Sequence, residues 1–286
     1  MKIIHTIREL RDELHNKPSI AFVPTMGNLH AGHLHLVELA KQRAECVVVS
    51  IFVNPLQFGA NEDLASYPRT QSADCDKLTQ VGADIVFAPS VAEMYPDFDG
   101  VSLHQTMVIR PPTIANMLCG VSRPDHFTGV ATVVMKLFNI VKPNVAIFGK
   151  KDFQQLTIIR ELVKQFNMDV EIVGGETVRE PNGLAMSSRN GYLDFVEKSK
   201  AVQLFRTLSD VVNKVQQGQY NYTELEHLAI KQLDSQGWQV DYISIRSAHS
   251  LLPAVATDQN LVVLGAAKLG KTRLIDNIEF CAKPLN

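Results

Sequence analysis

The chain has 286 residues, 45% hydrophobic and 20% charged, and its 28 basic and 30 acidic side chains give a formal net charge of −2. That length builds one large α/β domain or two ordinary ones, and the charge lacks the basic excess of a general nucleic-acid binder. Four cysteines without a C-x-x-C pair read as reduced thiols, and with no signal-like N-terminus and no run of 18 apolar residues the expectation is a soluble cytoplasmic protein that engages no membrane.

In chain order, Thr6 and Glu9 make a capping box for a helix that places Ile7, Leu10 and Leu14 on one face. Residues 19–23 read as a short buried strand, 24–30 as a loop and 32–44 as a helix. Residues 46–53 (CVVVSIFV) are a continuous apolar run, the pattern of a parallel strand covered on both faces. A helix over 70–81 stops at Gly82. There follow a strand at 84–88, a helix at 127–141 ended by Pro143, a strand at 145–148, a helix at 152–166 and a strand at 170–173. Strands alternating with helices predict a Rossmann-like, doubly wound parallel sheet. After the turn signal at Glu180-Pro181-Asn182-Gly183 the pattern changes to helices near 198–217 and 223–236, then strands at 242–245, 261–265 and 273–280. The expected organisation is therefore a Rossmann-like domain over 1–176, a hinge at 177–184 and a smaller α+β C-terminal lid domain over 185–286.

Two segments compete for a nucleotide. GAAKLGKT (265–272) fits the P-loop pattern letter for letter, but that mechanism needs a helix after it. Leu274, Ile278 and Phe280 share a parity instead, so the segment reads as a hairpin turn between strands. PTMGNLHAGH (24–33) has the right context, a loop between the first strand and the next helix. The helix start offers N–H groups to an anion, Gly27 and Gly32 permit close approach, and His30 and His33, three apart, share a face. Two imidazoles at that spacing with no third ligand nearby make a weak zinc site and a better triphosphate grip.

Other polar groups sit at strand ends. Gly149, Lys150, Lys151 and Asp152 open a helix after a strand, where Asp152 can cap the helix or accept from a ribose. Met186, Ser187, Ser188 and Arg189 offer two hydroxyls and a guanidinium to phosphate. Asn54 and Gln57 lie just past a strand, and Gln154 and Gln155 open the helix after Lys151. These neutral amides suit the hydroxyl and carboxylate groups of a small polar substrate.

Together the stretches PTMGNLHAGH (24–33), FVNPLQF (52–58), RPDHFTGV (123–130), FGKKDFQQL (148–156) and GLAMSSRNGYL (183–193) resemble the pantothenate synthetase (pantoate–β-alanine ligase) family. GAAKLGKTRLIDN (265–277) resembles the family's tail. The resemblance implies that ATP and (R)-pantoate form pantoyl-adenylate and pyrophosphate, and that β-alanine then releases AMP and pantothenate. It implies His33, with His30 and Lys151, as catalytic residues, and Lys151, Ser187, Ser188 and Arg189 on the phosphates. Gly149, Asp152 and the backbone near Val178 would hold ribose and adenine, within a nucleotide site that also takes in Met26, Gly27, Gly32, Lys150 and Met186. Gln57, Gln155 and Asn54 would bind pantoate and β-alanine. Mg²⁺ would accompany ATP, with its protein ligand unassigned, and the assembly would be a homodimer. The chain departs from the family pattern at Asp125, where glycine is common, and at Lys150, where glutamate is frequent. The competing reading is a nucleotidylyltransferase with the same His-x-Gly-His logic, but a phosphorylated acceptor would call for cations where Asn54, Gln57 and Gln155 are neutral.

Overall fold

The computed structural model describes residues 1–59, 64 and 67–283. They form two compact units, Met1–Lys150 with Ile158–Glu176, and Lys151–Thr157 with Thr177–Asn286.

The first unit is built on a six-stranded sheet in the order β1-β4-β3-β2-β5-β6, with every strand pair parallel. Its strands are β1 (Lys2–Ile4), β2 (Ile20–Thr25), β3 (Cys46–Ile51), β4 (Ile85–Phe87), β5 (Val145–Gly149) and β6 (Glu171–Gly175). The helices are α1 (Ile7–Leu14), α2 (Ala31–Lys41), α3 (Gln71–Val81), the single turns α4 (Val91–Met94) and α5 (Cys119–Ser122), then α6 (His126–Val141) and, from Ile158 onward, α7 (Phe153–Gln165). This is the doubly wound sheet expected from the alternating pattern. The edge strand β1 escapes a sequence reading because it is three residues long and buries only Ile4. Helix α1 begins as expected, with the Thr6 side chain accepting from the Glu9 N–H. Helix α3 ends where Gly82 takes φ 77°, a left-handed cap that glycine adopts without steric cost.

The order of strands has a functional consequence. From β2 the chain winds outward through β3 and β4 on one side, and β5 and β6 lie on the other. The sheet therefore reverses direction at β2 and β5, and crevices at such switch points, beyond the carboxyl ends of the strands, take ligands. The loop carrying His30 leaves β2 there, and Gly149 and Lys150 leave β5 beside it.

The second unit contains an antiparallel sheet of β7 (Gln239–Ser247), β8 (Asn260–Leu269) and β9 (Thr272–Cys281). Helices α8 (Phe195–Gln216) and α9 (Tyr222–Ser235) bury Leu204, Leu208, Leu225 and Leu233 in one core with Val263 and Ala267 of β8. The P-loop look-alike is the β8–β9 hairpin. Gly270 turns the chain at φ 57°, Leu269 pairs with Thr272, and no helix follows to present N–H groups to a phosphate. Lys151–Thr157, inside the first domain of the sequence reading, belongs to this second unit, and the Asn277 side chain donates to the Lys151 carbonyl at 2.8 Å. All four cysteines are free, and among the described residues no helix is long and apolar enough to cross a membrane.

Candidate active site

In the first unit, His30 is the N-cap of α2 in extended backbone (φ −128°, ψ 174°). Its Nδ1 accepts from the Gly32 N–H at 3.2 Å, and the His33 Nδ1 accepts from the His30 N–H at 3.4 Å. The rings lie with centroids 4.1 Å apart and planes tilted by 37°. This changes the expected chemistry. The N–H groups of His33 and Leu34 bond the His30 carbonyl, and that of Gly32 bonds an imidazole. The N–H groups of Gly32, His33 and Leu34 at this helix start are thus engaged within the protein. What the motif presents is imidazole: a ring whose Nδ1 accepts carries its proton on Nε2, so each histidine is fixed as an Nε2–H donor.

The loop before α2 has its own anchor, which sequence reading missed. Gly27 and Asn28 take φ 82° and 51°, and this left-handed pair aims successive N–H groups at one place. Asp74 of α3 fills it. The carboxylate is fully buried and accepts from the Asn28 and Leu29 N–H groups, each at 2.8 Å, and from the Thr70 hydroxyl at 3.0 Å. Lys77, one turn on, donates to the Leu29 carbonyl at 2.7 Å. The available signal was an acid on the apolar face of a helix, beside Cys75 and Leu78, since a carboxylate is rarely buried without partners. Asp74→Asn turns an NH₂ toward one of those N–H groups. A loss of about 2 kcal/mol is expected, with a lower melting temperature and at least about tenfold slower turnover as the imidazoles shift. Thermal unfolding and steady-state rates check both effects, and unchanged turnover would show that the loop holds itself.

Gln57 closes the short helical turn Pro55–Gln57 after β3. Its amide orientation follows from a chain of donors. The buried Tyr95 hydroxyl donates to Asn54 Oδ1 at 2.6 Å, so Asn54 Nδ2 donates to Gln57 Oε1 at 3.1 Å, and Gln57 Nε2 faces Met26 Sδ at 3.0 Å. Burial raises the Tyr95 pKa well above the usual phenol range, which keeps that proton in place. The Gln57 carbonyl accepts from His126 Nδ1 at 2.8 Å. Asn54 also donates to the Gly129 carbonyl and accepts from the Leu56 N–H. All four hydrogen-bonding positions of the Asn54 amide are filled within the protein. The Lys150 ammonium pairs with Glu176 at 2.6 Å.

Asp125 is the N-cap of α6 at φ 62°, ψ −4°, with no capping bond from its side chain. The position is left-handed, so a glycine suits it, and aspartate is among the few other residues that tolerate it. Asp125→Gly removes a steric cost of about 1 kcal/mol and should raise the melting temperature by about 2 °C, read by a thermal melt.

The second unit carries the remaining predicted residues. Lys151 and Gln155 are half-buried and Asp152 is exposed. The Val178 carbonyl accepts from the Met186 N–H at 3.0 Å, and Arg179 bridges Ala185, so 178–186 folds back on itself as a small hairpin. The Ser187 side chain then accepts from the Arg189 N–H and opens the turn Ser188–Tyr192.

A parallel sheet with a His-x-Gly-His loop at its switch point defines a Rossmann-like nucleotide-binding protein. Residues 2–279 match the family model described as pantoate-beta-alanine ligase, and the chain belongs to that family. It is 64% identical over 280 residues to a pantothenate synthetase of Methylobacillus flagellatus, covering 98% of this chain and 99% of that one. A pantothenate synthetase of Thiobacillus denitrificans is 54% identical over 280 residues, 98% of this chain and 97% of that protein. Among solved structures, a Thermus thermophilus pantothenate synthetase aligns with TM-score 0.91 at 40% identity, over 97% of this chain and 99% of the other. A Francisella tularensis pantoate-beta-alanine ligase, complexed with beta-gamma ATP and beta-alanine, aligns with TM-score 0.75 at 35% identity, covering 97% of each chain.

Proposed function

We propose that this chain condenses (R)-pantoate with β-alanine using ATP, by way of pantoyl-adenylate. The observation that carries this reading is the direct bond, in one unit, between the nucleotide loop and a neutral substrate amide: Gln57 Nε2 to Met26, four residues before His30. A charged acceptor phosphate would need cations at that place, so the nucleotidylyltransferase reading is not favoured.

A pantoate carboxylate oxygen attacks the α-phosphorus, the bond to the bridging oxygen breaks, and pyrophosphate leaves with the electron pair. Little covalent work falls to the protein, and stabilising the charge on the phosphoryl oxygens dominates. The Nε2–H groups of His33 and His30 supply that stabilisation, with Met26, Gly27 and Gly32 shaping the loop. Lys151, Ser187, Ser188 and Arg189 hold the phosphates, while Gly149, Asp152 and the backbone at Val178 and Met186 hold ribose and adenine. Gln57 and Gln155 bind pantoate, Asn54 fixes the Gln57 amide, and Lys150 contributes charge near the site. In the second step the β-alanine amine attacks the acyl carbon, AMP departs, and the amine proton is lost to solvent. Mg²⁺ carried on the triphosphate would neutralise part of its charge; among the described residues no three His, Cys, Asp or Glu side chains converge as a protein cage for it. The resemblance further supports a cytoplasmic homodimer, a mass that light scattering reads directly.

AMP release is the test. It should require pantoate and β-alanine together, and release indifferent to pantoate would overturn the reading.

A further inference from the structure

Strand β9 places two buried polar residues side by side in a hydrophobic unit, Asp276 at 5% and Asn277 at 6% exposure. Asp276 holds Arg179 in a two-pronged ion pair, with Oδ2 to Nη1 at 2.7 Å and Oδ1 to Nη2 at 2.9 Å. Arg179 Nη1 also donates to the Gly183 carbonyl at 3.1 Å, and its guanidinium lies 3.8 Å from the centre of the Phe205 ring. The hairpin 178–186 is thereby fastened to β9 at its base. Asn190 fastens the next turn to that hairpin, donating to Glu180 Oε1 and to the Ala185 carbonyl. From the same place on β9, Asn277 Nδ2 donates to the Lys151 carbonyl at 2.8 Å.

Lys151 and the 187–189 segment are about 36 residues apart in the chain and share no secondary structure, yet both are tied to adjacent positions of one strand. A bidentate arginine–carboxylate pair is directional, and a buried amide bond to a carbonyl fixes the backbone from which the lysine side chain springs. We propose that Asn277 is a positioning residue that sets Lys151 in fixed register with Ser187, Ser188 and Arg189, so that these phosphate-directed groups act as one rigid piece in the pyrophosphate-forming step. This rests on the reading above of those residues as phosphate ligands. The role is confined to the first half-reaction, because no pyrophosphate is present when β-alanine attacks the adenylate.

Asn277→Asp keeps the shape but cannot donate to the Lys151 carbonyl, and Asn277→Ala removes the bond without burying a charge. Three measurements are made on each variant and on Lys151→Ala: pantoate-dependent ATP–pyrophosphate exchange, aminolysis of supplied pantoyl-adenylate by β-alanine, and thermal melting. For the two Asn277 variants the expected result is exchange slowed about tenfold, the factor for one buried hydrogen bond, with aminolysis at the wild-type rate. Should Asn277→Asp fail to fold, Asn277→Ala carries the same comparison. A folded variant in which both half-reactions slow equally, or neither slows, overturns the inference. If Lys151→Ala abolishes exchange while folded Asn277→Ala does not, only the positioning role falls. If Lys151→Ala leaves exchange intact, the phosphate reading falls and the positioning role with it.

Discussion

Replacing His33 with alanine is expected to cut turnover at least about a hundredfold, the usual consequence of losing a preorganised donor to transition-state charge. The geometry gives reasons beyond the lost donor. The His33 Nδ1 accepts from the His30 N–H, and its ring lies against that of His30, with centroids 4.1 Å apart. The alanine variant therefore frees a backbone N–H and loosens the second imidazole as well. The effect should appear in kcat for pantoate-dependent AMP release, with the melting temperature little changed, since His33 is only half-buried at a helix start. Lys271→Ala is the control. That lysine stands exposed on the β8–β9 turn, and its loss should leave turnover near wild type. The reverse pattern, a silent His33→Ala and an inactive Lys271→Ala, would restore the P-loop and remove the histidine site.

The contrast between these two segments shows what a sequence exposes. Local patterns were legible because they are local physics: the apolar run of β3, the capping of α1 by Thr6, the left-handed stop at Gly82, and the strand parity after Lys271 that disqualified a P-loop. The histidine pair was legible for the same reason, as three-residue spacing at a helix start puts both rings on one face. The tautomers were not, because they depend on which N–H group each Nδ1 accepts. Nor were the supports. Asp74 lies 45 residues from the Leu29 N–H it holds, Gly129 lies 75 from Asn54, and Asn277 lies 126 from Lys151. Contacts across such separations leave no periodicity in the chain. Asn54 is the instructive case: its position beyond β3 suggested a substrate contact, and nothing local in the sequence announces that its amide is buried among bonds to Tyr95, Gln57, Leu56 and Gly129.

Gly129→Ala is expected to damage the first unit severely. In an ordinary helix interior this change stabilises by about 1 kcal/mol, through alanine's better helix propensity. In α6 the added carbon would lie 2.2 Å from the Leu56 carbonyl oxygen, 2.5 Å from its carbon and 2.7 Å from the Gln57 nitrogen. All three are backbone atoms, so no side chain can swing aside, and α6 is itself buried along most of its length. The turn Pro55–Gln57 must then retreat by roughly 1 Å, an overpacking cost of about 1–3 kcal/mol or more that outweighs the propensity gain. The retreat also separates the Gly129 carbonyl from Asn54 Nδ2, and so releases the amide chain that orients Gln57. A displacement of that size near a reacting group costs about a hundredfold in rate. The loss should fall on kcat/KM for pantoate, with the KM for ATP much less affected, because Asn28 and Leu29, next to His30, are held separately by Asp74. Kinetics with each substrate varied in turn separate the two. A folded Gly129→Ala enzyme with wild-type pantoate kinetics would show that Gln57 is not held by this contact, and that its place in the substrate site must be given up.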